Sequence, residues 1–191
     1  MNIQLTNPEL LAIAVVTALV VVGLAWFYIQ KRRYTTAGLR QRFGTEYERT
    51  VQTQGSERKG QATLLDRESR LEKLNIRDLE PAERERYLEK WKSVQSRFVD
   101  SPAGAVAEAD DLVSSAMQSR GYPVSDFEQR AADISVGHPH VTENYRAAHA
   151  IALRVGKPET STEDLRTAMI HYHSLFDELV QVRVVDNKAA A

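Results

Sequence analysis

Residues 126–152 read DFEQRAADISVGHPHVTENYRAAHAIA, and the way this stretch folds decides how the rest of the chain is read. Phe127, Ala131 and Ile134 recur at spacings of four and three, the period of a helix with one buried face. Gly137 ends that pattern and Pro139 opens the next, since proline is tolerated only in a helix's first turn. Val141, Tyr145, Ala148 and Ala152 then mark a second buried face. Ser125 and Glu128 match the S-x-x-E capping box, which predicts a helix beginning at Asp126, an acid suited to the positive end of the dipole. Two short helices joined at a Gly–His–Pro corner are the expectation.

The same stretch is rich in polar groups, with three of the chain's five histidines, four acids, two arginines and a tyrosine. Caps and turns account for Asp126, Glu128, His138 and His140. A candidate polar cluster is left over: Arg130, Asp133, Tyr145 and His149. Tyr145 and His149 lie four apart on one face, where Arg130 or Asp133 of the preceding helix can meet them. A metal site can be drawn from His140 and Glu143, an H-x-x-E pair, with His138 or His149 as third ligand. The di-iron pattern of two E-x-x-H units is absent from the sequence. His171 and His173 point about 200° apart on a helix and cannot share an ion. An acid–base pair of Asp133 and His149 is the enzymatic reading, because a carboxylate can orient an imidazole. No nucleophile motif or phosphate-binding glycine loop accompanies it. The expectation is a buried polar network, with no catalytic residue, cofactor or metal and no enzymatic activity. A small-ligand or metal-binding sensor, or an enzyme, centred on residues 126–149 is the alternative.

Outward from this hairpin the helical period repeats. Leu39, Phe43, Tyr47 and Val51 predict one helix ending near Gly55, and Ser56 caps another carrying Leu64, Leu71 and Leu74 opposite a solvated Arg/Glu face. After the break NIRDLE (75–80), Pro81 opens a helix with the stripe Tyr87, Trp91, Val94 and Phe98. Asp100 or Ser101 and Pro102 start the next, which carries Val106, Ala109, Leu112, Val113, Ala116 and Met117 and stops at Gly121. Ser161 and Asp164 begin the last, with Leu165, Met169, Tyr172, Phe176 and Leu179. No alternating strand pattern and no repeat intervenes. The fold class is all-α, a compact bundle of about six to seven short helices.

Near the N-terminus, residues 10–29 (LLAIAVVTALVVVGLAWFYI) carry no charge and as a helix span about 30 Å, the thickness of a bilayer's hydrocarbon core. Lys31, Arg32 and Arg33 follow directly, and Trp26, Phe27 and Tyr28 sit where interfacial aromatics belong. The charge bias places the N-terminus outside and the main domain in the cytoplasm. The expected organisation is an extracytoplasmic tail (1–9), a transmembrane helix (10–29), a basic linker (30–36), a helical cytoplasmic domain (37–180) and a flexible tail (181–191). The membrane interface would comprise Trp26, Tyr28, Lys31, Arg32 and Arg33, with anionic head groups against residues 31–42. Ala14 and Ala18 leave a homo-oligomer open through close helix approach.

Composition sets outer limits. Charged residues make up 27% and hydrophobic residues 42%, as in globular domains. A net charge of −1 disfavours a nucleic-acid partner, although residues 31–59 hold eight Lys/Arg against three Glu. The absence of cysteine removes disulfides, thiolate metal sites and cysteine nucleophiles.

LRQRFGTEYERTV (39–51), RFVDSPAGAVAEADDLV (97–113), GYPVSDFEQRAADISVGHP (121–139) and NYRAAHAIA (144–152) together resemble an uncharacterised group of short bacterial proteins that carry a helical soluble domain behind one membrane span. The likeness runs from residue 39 to about 180. It implies a bacterial cytoplasmic membrane and a single-pass architecture, and it carries over no activity and no catalytic residue. The functional expectation is a membrane-tethered adaptor or scaffold that binds another protein.

Overall fold

A computed structural model describes Val15 and residues 36–181. The chain divides into two compact units, residues 1–41 and 42–191. In the first, Val15 and residues 36–41 are helical. The predicted span at 10–29 (Val15 apart), Trp26, Tyr28, Lys31, Arg32 and Arg33, and the tail beyond Gln181 lie outside the described residues. Among the described residues no helix is long and apolar enough to cross a membrane.

The second unit is all-α among its described residues. After helical residues 42–43 come α1 (Thr45–Gln54), α2 (Glu57–Glu72), α3 (Pro81–Arg97), α4 (Pro102–Ser119), α5 (Phe127–Gly137), α6 (Pro139–Ala152) and α7 (Thr162–Val180). The single helix expected through Phe43 and Tyr47 is broken in two at Gly44, whose φ of 53° and ψ of −128° are not helical. Phe43 and Tyr47 are both buried, so the fourfold spacing correctly marked inward residues on either side of the break. Glycine makes such an interruption easy, because it has no Cβ to exclude positive φ.

Local chemistry sets the remaining boundaries. The Ser56 hydroxyl accepts from the Lys59 N–H at 3.4 Å, and Ser161 and Asp164 form a reciprocal capping box. The S-x-x-E box expected at Ser125 does not form. The Asp126 carboxylate caps α5 instead, accepting from the Gln129 N–H at 2.9 Å, and the Ser125 hydroxyl has no hydrogen-bond partner. An aspartate one residue further along reaches the same free N–H groups, so the adjacent cap wins.

α6 and α7 lie together over most of their length, α4 packs along α7, and α3 lies against α4. Ala105, Ala109 and Ala116 on α4 are fully enclosed and let that helix approach Tyr145, Tyr172 and Phe176, the large side chains of the core. Each such large apolar side chain contributes about 1.5–3 kcal/mol when fully buried. The α1–α2 hairpin docks on the α5–α6 hairpin, α1 against α6 and α2 against α5. Gly60 lets α2 meet α1, since a Cβ there would lie 2.8 Å from the Val51 Cα.

One arginine ties the distant chain segments. Arg120, buried at the end of α4, donates to the Arg77 carbonyl (3.0 Å), the Asp78 carboxylate (2.9 Å) and the Leu179 carbonyl (3.2 Å). The Arg77 N–H returns a bond to the Arg120 carbonyl at 2.8 Å. Beside it, Gly121 turns the chain at φ 97°, where a Cβ would come within 2.4 Å of the Asn75 carbonyl oxygen.

Candidate functional site

The four residues of the expected polar cluster separate into different environments. Arg130 and Tyr145 do meet: the guanidinium Nε donates to the phenol oxygen at 3.1 Å and Nη1 donates to the Ser125 carbonyl. Burial raises the pKa of Tyr145, and only partly does Arg130 counter it. The phenol of Tyr172 is raised as well, by burial first and then by the carboxylate of Asp110. Asp110 of α4 and Arg130 of α5 act electrostatically on Tyr145 of α6 and Tyr172 of α7, while the Tyr172 hydroxyl and Asp110 Oδ1 are buried without a hydrogen-bond partner.

Asp133 lies elsewhere. Its carboxylate, 1% exposed, accepts from Gln129 at 2.8 Å and from Arg70 of α2. His149 stacks flat on Phe127, with ring centroids 3.6 Å apart and planes 7° from parallel. Burial lowers its pKa, and Asp110, rather than Asp133, is the main acid acting on it. The acid–base pairing of Asp133 with His149 is therefore not what the fold assembles. Tyr145 and His149 do share a face, as their spacing indicated, and Phe127 packs on both.

The two histidines at the hairpin corner are not idle turn residues. His138 is 2% exposed, and its Nδ1 lies 3.1 Å from Glu178 Oε2, while the Nε2 of exposed His140 lies 2.9 Å from Oε1. Burial pushes the Glu178 carboxyl upward, but the two imidazoles outweigh it and hold the pKa below the usual carboxylate range. His140 is thus engaged with α7 instead of pairing with Glu143 around an ion. Among the described residues no group of three metal-binding side chains is suitably gathered.

The Arg/Glu face of α2 also departs from expectation, because two of its arginines turn inward. Arg67 reaches Ser135 at 3.3 Å and Glu46 at 3.5 Å, and Glu46 is gripped from α6 by Arg146 at 2.8 Å. Arg146 also holds Glu128 at 2.7 Å, which is where the expected capping acid has gone. A signal was present in the sequence: Arg67 falls three after Leu64 and four before Leu71, on the apolar stripe itself. These ion pairs join the two hairpins and leave Glu46 with no water-facing role.

The surface offers a different kind of feature on the opposite pair of helices. Between α3 and α7 runs a groove of about 250 Å³, lined by Trp91, Gln95, Phe98, Arg166, Met169, Ile170 and His173. Trp91 stacks on Phe176 below it, with centroids 4.7 Å apart, and sits 5.0 Å from the His173 ring. The indole Nε1–H has no acceptor. Ile170 is 52% exposed on the rim. Trp91 and Met169 belong to the core as their stripes indicate, Phe98 is half-buried against it, and Ile170 lies off the stripe. The available signal was its position beside Met169, an apolar residue off the stripe Leu165, Met169, Tyr172, Phe176 and Leu179. No family model, curated protein or solved structure matches this chain.

Proposed function

We propose that this chain is a membrane-tethered adaptor whose helical unit recruits a protein partner through the groove between α3 and α7. The observation that carries the reading is the groove's chemistry. It exposes Ile170 on its rim and part of Phe98 beside it, over Trp91 and Met169, which are buried in the bundle. An exposed apolar side chain set in a groove with polar edges is the feature a protein contact would use. The tether is supported by the uncharged residues 10–29 and by the Lys31–Arg33 cluster after them, and places the helical unit on the cytoplasmic side.

The polar residues between 126 and 149 serve this reading as architecture. Each of the more buried ones is engaged across helices: Asp133 with Arg70, Arg146 with Glu46, His138 with Glu178. Cross-helix contacts of this kind bear on how the helices pack, although Asp133 Oδ2 and Arg70 Nε are buried without partners.

Two measurements test the proposal together. Expressed in bacteria, the full chain should sediment with membranes and resist alkaline extraction, and deletion of residues 10–29 should release it. A photo-crosslinking residue at Ile170 should give one discrete protein adduct, identifiable by mass spectrometry and absent when the same residue replaces Leu153. Recovery of the full chain in the soluble fraction sinks the tether. Equal, diffuse crosslinking from both positions sinks the adaptor.

A further inference from the structure

We infer that the α1–α2 hairpin is a releasable strap: ion pairs, more than apolar contacts, hold it to the α5–α6 hairpin, and it lifts from that face while the helices from α3 to α7 stay folded. The division of apolar burial carries this. The continuous core runs from Leu79 to Val180 and draws its buried members from α3 to α7 and the loops between them. Phe43, Tyr47 and Leu64 are buried but stand outside that core. Leu71, at the far end of α2, is the only described side chain of α1 or α2 packed against it. Within the hairpin the helices are tied to each other. The Tyr47 hydroxyl donates to Glu57 and accepts from Gln61 Nε2, both at 3.0 Å, and Arg42, just before α1, pairs with Glu68.

Across the seam the contacts are polar. Arg146 of α6 donates to the buried Glu46 at 2.8 Å, Arg67 donates to Ser135 at 3.3 Å, and Arg70 pairs with Asp133. Satisfaction is incomplete, because Thr50 Oγ1, Arg70 Nε and Asp133 Oδ2 are buried without partners. Taking Glu46 and Asp133 out of water costs nearly as much as their pairing returns, whereas buried apolar area is what resists opening. Lifting the hairpin rehydrates these charges and the three orphaned atoms, and it takes only the partial contact of Leu71 from the main core. A segment held in this way opens on its own, ahead of global unfolding. Once detached, α1 is a ten-residue helix, too short to persist in water. The face then offered is that of α5 and α6 around Ser135 and Arg146, with Ser135 fully enclosed while the strap is down.

Because the chain has no cysteine, one introduced thiol reports alone. In the full chain in detergent micelles, Ser135→Cys places a thiol beneath the strap and Ala109→Cys places one in the main core on α4. Reaction with N-ethylmaleimide under native conditions should be at least about tenfold faster for Ser135→Cys. Its rate should rise only weakly with urea, since a small opening exposes little surface. Adding Glu46→Gln removes the acid between Arg67 and Arg146. It should speed labelling of Ser135→Cys by roughly a hundredfold and leave Ala109→Cys unchanged. Amide hydrogen exchange of the unsubstituted chain gives a second readout that needs no variant. Residues 45–72 should exchange faster than α4 and α7, again with a weak urea dependence. Equal labelling rates and urea dependences for the two thiols overturn the inference, as does exchange of residues 45–72 only in step with α4 and α7. Equal acceleration of both thiols by Glu46→Gln overturns it too, because the ion pairs would then serve the whole fold and not the seam.

Discussion

Single side chains carry much of this fold's specificity. Arg120 holds the loop at Arg77–Asp78 and the end of α7 at once, with carbonyl and carboxylate acceptors on both. Arg120→Ala strands the buried Leu179 carbonyl and removes the bonds to Arg77 and Asp78, and should cost about 2 kcal/mol, read as a lower urea midpoint with unchanged slope. His149 makes a pH prediction. Burial lowers its pKa in the folded state, so the unfolded chain takes up the proton more readily. Stability from this group is complete above its ordinary value of about 6.5 and is lost as pH falls below it. His149→Phe keeps an aromatic ring against Phe127 and should flatten the change in melting temperature between about pH 7 and 5. An unaltered profile in that variant would remove His149 as the cause. Asp133 shows why residue identity was easier to read than residue partnership. Its position on the inner side of α5 follows from its spacing to Gln129, but its arginine comes from 63 positions away.

At the scale of elements, boundaries were set by which of several neighbouring groups reached a free N–H first. The competition at the start of α5 can be measured. Asp126→Ala should cost about 1 kcal/mol through loss of the cap, and Ser125→Ala close to nothing. The reverse ranking in a denaturant titration would restore the serine cap. The periodic stripes of α3, α4, α6 and α7 were fully legible, because 3.6-residue spacing is a local property of the chain. Gly44 was less so. A lone glycine inside an apolar repeat is compatible with a continuous helix, and only the packing of its neighbours settled the break. The charged face of α2 failed for the opposite reason. Arg and Glu are normally solvated, and Arg67 turns inward only because Glu46 and Ser135 await it on other helices.

Across the whole helical unit, contacts between segments far apart in sequence join its helices. Glu178 near the end of α7 links to both histidines at the α5–α6 corner, and Arg120 bonds the α7 terminus next to it. Glu178 titrates below its ordinary value in the folded state. Its contribution is thus present above the unfolded value of about 4.3 and is lost as pH falls through the lower, folded value. Glu178→Gln should make the acid-side decline in melting temperature shallower and leave the profile above about pH 8 parallel to wild type. A decline as steep as wild type would show that the two imidazole contacts do not couple to folding.

Local pattern was enough to determine the all-α class and nearly every inward residue, since periodicity and capping act within a few residues, but not the break at Gly44. It also placed Tyr145 and His149 on one face of a helix, with Arg130 or Asp133 of the preceding helix left to meet it, and Arg130 is the one that does. Only the tertiary structure decided that Asp133 belongs to Arg70, that His138 is buried against Glu178, and that Ile170 stands exposed beside the buried Trp91 and Met169. Those outcomes depend on how helices distant in the chain pack, and a side chain's partner across that packing leaves no trace in its own neighbourhood. Whether an apolar residue ends in the core or at a groove is settled by the area its neighbours leave uncovered, and that quantity exists only once the bundle is assembled.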